Sequence, residues 1–113
     1  MFDKNKDLLP IGSVVILKGA SLRLMIIGLL PLLEDNKSYY DYCGCIYPEG
    51  LTDFKSVAFF NRESIERVFS LGGFDEAANS HMKLLREREK EIISSSEFVK
   101  KPIDDVNNVK PKE

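Results

Sequence analysis

The chain has 113 residues, 43% of them apolar, which is enough for one small core, and a single domain is expected. Sixteen basic and eighteen acidic residues give a formal net charge of −2, a balance that argues against a dedicated nucleic-acid binder, because phosphate contact needs a basic face. Two cysteines one residue apart, Cys43 and Cys45, exclude a secreted disulfide scaffold and point to the cytoplasm.

Met1–Asp7 is polar apart from Phe2 and is expected to be a flexible N-terminus (1–7), ahead of a single domain over 8–95. A strand is predicted over 13–18, where Val14, Val15, Ile16 and Leu17 follow Pro10 and Gly12. Lys18-Gly19-Ala20-Ser21 is a turn, and Arg23 to Gly28 a second strand whose apolar density suits a central position. The apolar run Leu22–Leu33 is broken by Arg23, Gly28 and Pro31 and is too short to cross a bilayer, so no membrane insertion is expected.

Leu29-Leu30-Pro31-Leu32-Leu33 cannot be a central strand, because Pro31 has no N–H for the ladder. Two readings fit: a hairpin tip with its leucines folded back, and an exposed apolar patch for a partner. Tyr39–Tyr47 is an aromatic third strand, with Gly44 marking a bulge or a close backbone approach. Val57–Phe60 is a short fourth strand.

Asn61 reads as a helix cap, and Ile65, Val68 and Phe69 recur at helical spacing, so a short helix is predicted over 62–68. Phe69–Gly72 is a candidate fifth, edge strand. Asp75 caps a longer helix over 76–93, with Ala78, Met82, Leu85 and Ile92 near one face and Glu89 at the missing step. Its charged second half is expected to project into solvent. From Ser96 the periodicity ends, and 96–113 is expected to be a disordered tail. The fold class is therefore α+β: a small, strongly bent antiparallel sheet of four or five strands, an SH3-like barrel being one form of it, with a short helix and a longer C-terminal one.

No pattern in the chain points to catalysis. Zinc needs four ligands, and Cys43, Cys45 and the single histidine, His81, supply three at unsuitable spacing. The glycines Gly12, Gly19 and Gly28 match neither a dinucleotide nor a phosphate loop. The expectation is no enzyme, no cofactor and no metal. The tyrosines carry more weight, since a tyrosine offers rigid contact area with a polar end. Leu29, Leu30, Leu32, Leu33, Tyr40 and Tyr42 are the predicted partner-binding residues.

Several short runs occur in a characteristic order: Leu9-Pro10-Ile11-Gly12-Ser13-Val14-Val15, Leu17-Lys18-Gly19, Leu24-Met25-Ile26 with Gly28, Asp41-Tyr42 with Gly44, Tyr47-Pro48-Glu49-Gly50, Phe60-Asn61, Ile65, Val68 and Gly73-Phe74. In them the chain resembles a small domain-of-unknown-function family of Gram-positive bacteria, typically encoded beside LXG-domain toxins of the type VII secretion system. Leu29 and the Cys43-Gly44-Cys45 triplet depart from the usual pattern. The resemblance implies a non-enzymatic cytoplasmic adaptor or chaperone. Its partners would be the helical N-terminal targeting region of an LXG toxin and small WXG100-like helical proteins. The alternative is a small SH3-like nucleic-acid or ribosome-associated module.

Overall fold

A computed structural model describes residues 2–107 and 109. Seven strands and one helix follow in order: β1 (Val14–Leu17), β2 (Arg23–Leu29), β3 (Ser38–Tyr39), β4 (Tyr42–Tyr47), β5 (Ala58–Phe60), β6 (Ile65–Ser70), α1 (Glu76–Ser94) and β7 (Val99–Lys100). Five of the strands form one antiparallel sheet in the order β5-β4-β2-β1-β6. β2 is central, as its continuous apolar run predicts. The sheet is open: β5 and β6 are its two edges and do not pair, so the fold is α+β without a closed barrel.

Alternation along the strands divides the sheet into two faces. Val15 and Leu17 of β1, Leu24 and Ile26 of β2, and Tyr42 of β4 point inward. With Ala58, Phe60 and Ile65 they meet Leu8 and Leu9 from the entering chain and Met82 and Leu85 from α1. The helix starts where its cap predicts, with the Asp75 carboxylate accepting from the backbone N–H of Ala78 at 2.9 Å.

The segment after Asn61 differs from expectation. Instead of a helix over 62–68 there is a single 3-10 turn, Arg62–Ser64, and then the edge strand β6. A helix of seven residues gains too few hydrogen bonds to offset its nucleation, whereas β1 offers an unpaired edge. The helical spacing of Ile65 and Val68 arises instead from β-bulges. Register shifts between Val14 and Val15 and between Ile16 and Leu17 let both residues reach the core from a strand.

Both chain ends, expected to be flexible, make contacts with the domain. Phe2 packs edge-on against Phe74, with ring centres 5.2 Å apart, and the Lys4 ammonium donates to the Ile65 carbonyl at 3.0 Å. Within the segment read as a disordered tail, β7 pairs in parallel with β3, and Asp105 exchanges two backbone hydrogen bonds with Phe59 on the β5 edge. The part of that reading that covers 108 and 110–113 lies outside the described residues.

Gly44 of β4 lies close against the backbone of β2. A Cβ there would lie 2.7 Å from the Met25 carbonyl oxygen and 3.1 Å from the Phe60 ring. Gly44→Ala is therefore expected to lower the urea midpoint by the equivalent of about 1–3 kcal/mol, an overpacking cost. Gly73→Ala, whose Cβ would meet nothing within 4 Å, is the matched control and should leave the midpoint nearly unchanged.

Candidate functional site

The predicted partner residues separate into two environments. Tyr40 and Tyr42 are core residues, 3% and 0% exposed. Tyr42 packs on Phe60, accepts from the Leu9 N–H at 2.8 Å and donates to the Asp7 carbonyl at 3.3 Å. Tyr40 packs on Phe59 and donates to the Ile103 carbonyl at 2.6 Å. A buried tyrosine is stable when its hydroxyl finds a partner, and both do, so neither is a contact surface. Burial also pushes both phenols above their ordinary pKa.

The leucines behave otherwise. β2 ends at Leu29, and Leu30 adopts a left-handed backbone with φ of 51°. That conformation costs a β-carbon residue about 1–2 kcal/mol. It is fixed by the Leu30 N–H bond to the Asp41 carbonyl at 2.8 Å and turns the chain away from the main sheet. Leu32 then bridges to Tyr39, and Leu33 donates to the Ser38 carbonyl at 2.9 Å. The hairpin tip is closed by Asp35, whose carboxylate accepts from the N–H groups of Lys37 and Ser38 and from the Ser38 hydroxyl. Those three bonds, the hydroxyl first, lower its pKa to about 2.

The result is an open groove of about 760 Å³ between this hairpin and α1. Leu30, Leu32 and Tyr39 form one wall. His81, Leu84, Leu85, Arg88 and Ile92 form the other, at the three- and four-residue steps of one helix face. Ser95 and Phe98 close one end. Leu84 is 70% exposed and Leu32 48%, an uncommon position for two large apolar side chains facing a shared space. Leu29 and Leu33, half-buried, do not line it. Periodicity alone does not assign Leu84 to a groove, since its stripe reads equally as core.

A buried ion cluster holds these walls. Asp41 is wholly buried and accepts from Arg62 at three points: the backbone N–H and Nε, each at 2.9 Å, and Nη2 at 3.1 Å. Lys100 of β7 adds its ammonium at 2.8 Å and also reaches Glu63 at 2.7 Å. Arg62 pairs with Glu89 of α1 and donates to the Lys6 carbonyl. Asn61 links the same corner to the C-terminal strap through the Lys101 carbonyl and the Asp104 carboxylate. Glu89, the polar residue at the missing step of the apolar stripe, thus anchors the second half of α1, which does not simply project into solvent.

Burial alone would raise the Asp41 carboxyl, but the hydrogen bonds from Arg62, then that from Lys100, outweigh it and hold its pKa below the ordinary value. Arg62 and Lys100 are correspondingly raised: burial opposes their charge, and the bonds to Asp41 overcome it. The cysteines offer no comparable chemistry; burial raises both thiols above their usual pKa, away from the reactive thiolate. Among the described residues no three His, Cys, Asp or Glu side chains group so as to hold a metal, and no helix is long and apolar enough to cross a membrane.

The sign of the pH effect follows from the lowered Asp41 pKa. The stabilisation is complete above the unfolded-state value near 3.9 and is lost as pH falls through the lower folded value. Asp41→Asn should cost about 3–5 kcal/mol at neutral pH, because it leaves Arg62 buried against a weakened partner. It should also flatten the acid limb of stability against pH. Urea unfolding from pH 7 to the acid limb checks both, and an unchanged acid slope in the variant would contradict the assignment.

No curated protein and no solved structure matches the chain. The family model described as "Domain of unknown function (DUF4176)" matches residues 8–82, which takes in the whole main sheet and the first turns of α1. The chain belongs to that family.

Proposed function

We propose that the protein is a non-enzymatic cytoplasmic adaptor or chaperone whose groove takes a helix of its client, the N-terminal targeting region of an LXG toxin on its way to type VII secretion. Small WXG100-like helical proteins would join the same complex. The observation that carries this reading is the groove between α1 and the Leu30–Leu32 hairpin. From His81 to Ile92 its helical wall runs about 16 Å, the length of three turns. Exposed leucines stand on both sides, and Glu87, Arg88 and Glu91 are the charged residues among those that line it. An amphipathic helix recognises a partner in this way, laying an apolar ridge into an apolar groove and leaving its polar face to the rim. The LXG assignment itself rests on the resemblance of the ordered motifs between Leu9 and Phe74.

The rival class, an RNA- or ribosome-binding module, has less support. A net charge of −2 provides little phosphate attraction, and the sheet does not close into a barrel.

Co-expression with the N-terminal region of an LXG toxin is expected to yield a co-purifying complex. Leu32→Glu with Leu84→Glu should weaken that complex at least tenfold, about 1.4 kcal/mol. The free protein should melt nearly unchanged, since both side chains are largely exposed. A complex indifferent to both substitutions, or none with a folded client, would overturn the reading. So would salt-dependent RNA binding that the same substitutions abolish.

A further inference from the structure

The face of the sheet turned away from α1 carries a second feature. Tyr47, Arg23, Ile16 and Arg67 form one row across β4, β2, β1 and β6, each opposite the next in the strand register. Phe69 lies two residues beyond Arg67. The Arg23 guanidinium sits 5.2 Å from the centre of the Tyr47 ring and 5.2 Å from that of Phe69, and Arg67 lies 4.8 Å from Phe69 on the same ladder. Aromatic and guanidinium groups thus alternate over four residues, all of them exposed. Neither arginine forms an ion pair among the described residues, whereas the less exposed Arg62 and Lys100 are each paired with carboxylates.

The rings hold both guanidiniums by cation–π attraction, and neither Arg23 nor Arg67 donates a side-chain hydrogen bond among the described residues. Their planar sets of donors suit a bidentate bond to a carboxylate, and contact with the rings already restricts side-chain freedom. Because both guanidiniums contact one ring, at 5.2 and 4.8 Å from its centre, they stand no more than about 10 Å apart. Two carboxylates alternating along an extended segment lie about 6.5–7 Å apart, within that span. Ile16, Tyr47 and Phe69 supply apolar surface between and beside the two donors. Arginine and aromatic residues together are the side chains most enriched at the energetic centres of protein interfaces.

We propose that this ladder is a second docking surface, specific for an acidic segment of a protein partner that presents two carboxylates on one face beside apolar side chains. Charge complementarity selects that occupant: two unpaired guanidiniums face outward from a chain that is otherwise slightly acidic. Two cations are too few to hold a nucleic-acid backbone at physiological salt. The surface lies across the sheet from the helical groove, so both can be occupied at once, and the inference does not depend on what the groove binds.

The test is an NMR titration of the full chain with a short peptide bearing two glutamates at alternate positions between leucines, beside the same peptide with glutamines. The glutamate peptide should shift the side-chain Nε–H signals of Arg23 and Arg67 and the backbone of Ile16 and Phe69. The glutamine peptide should bind at least tenfold more weakly, and so should the glutamate peptide to Arg23→Gln/Arg67→Gln. Leu32→Glu/Leu84→Glu should leave this titration unchanged, which separates it from the groove. Equal shifts with both peptides, no shift at millimolar peptide, or a stronger response of the ladder to single-stranded RNA would overturn the proposal.

Discussion

The Asp41 carboxylate is the point on which the arrangement depends. It is the one fully buried acid of the described chain, and it collects Arg62 from the 3-10 turn and Lys100 from β7. Through Arg62 it collects Glu89 of α1 as well. A buried charge is tolerable only when its hydrogen-bonding capacity is met, and among the described residues no buried side-chain nitrogen or oxygen lacks a partner. Satisfaction is also what gives the cluster its directional force. Moving α1, the strap or the 3-10 turn independently would strand a charge in the interior. One groove wall is α1, and the other is the hairpin that Asp41 anchors through its carbonyl to Leu30. Burial of Met82 and Leu85 turns one face of α1 to the core, and the Arg62–Glu89 pair pins the same rotation.

Two kinds of surface result, on opposite sides of one sheet. Facing α1, only Met82 and Leu85 are buried from the helix, a narrow seam that leaves Leu84 and Ile92 to face the hairpin. The sheet is therefore covered by a helix that has apolar surface left over. On the other side no helix among the described residues lies across the Tyr47–Arg23–Phe69–Arg67 row, which solves its own exposure by setting arginine against aromatic rings. One edge of the sheet is sealed by Asp105 on β5; the other, β6, is bulged and carries Glu66 and Arg67, features that discourage edge-to-edge association.

The strands β1, β2 and β4 and the capped helix are legible in the sequence because each is a local pattern: β-branched runs, a central apolar strand, an aspartate three residues before a free N–H. Gly44 was legible for the same reason, as a close approach of two backbones. What is not local is not legible. Ile65, Val68 and Phe69 carry helical spacing, yet bulges in β1 pairing give a strand the same spacing of buried residues. Tyr40 and Tyr42 read as contact residues because their hydroxyl partners, Ile103, Asp7 and Leu9, come from distant parts of the chain. The polar stretch after Ser96 looks unable to fold, and by burial alone it would be; it docks through Lys100, Asp104 and backbone pairing to partners placed more than thirty residues earlier. The groove is half legible: Leu30 and Leu32 stand out as leucines around a proline, whereas Leu84 and Ile92 become a wall only once Glu89 fixes the helix rotation. The arginine ladder is invisible without the strand register.

The central question is whether the groove is where a helical client lies. Methyl-labelled protein mixed with the proposed client, an LXG N-terminal region, and measured for intermolecular nuclear Overhauser contacts, addresses that directly. Contacts are expected from the methyls of Leu30, Leu32, Leu84 and Ile92 to apolar side chains of one client helix, with the methyls of Val15, Leu24 and Ile65 in the core showing none. A complex that forms while those four groove methyls stay silent would contradict that placement.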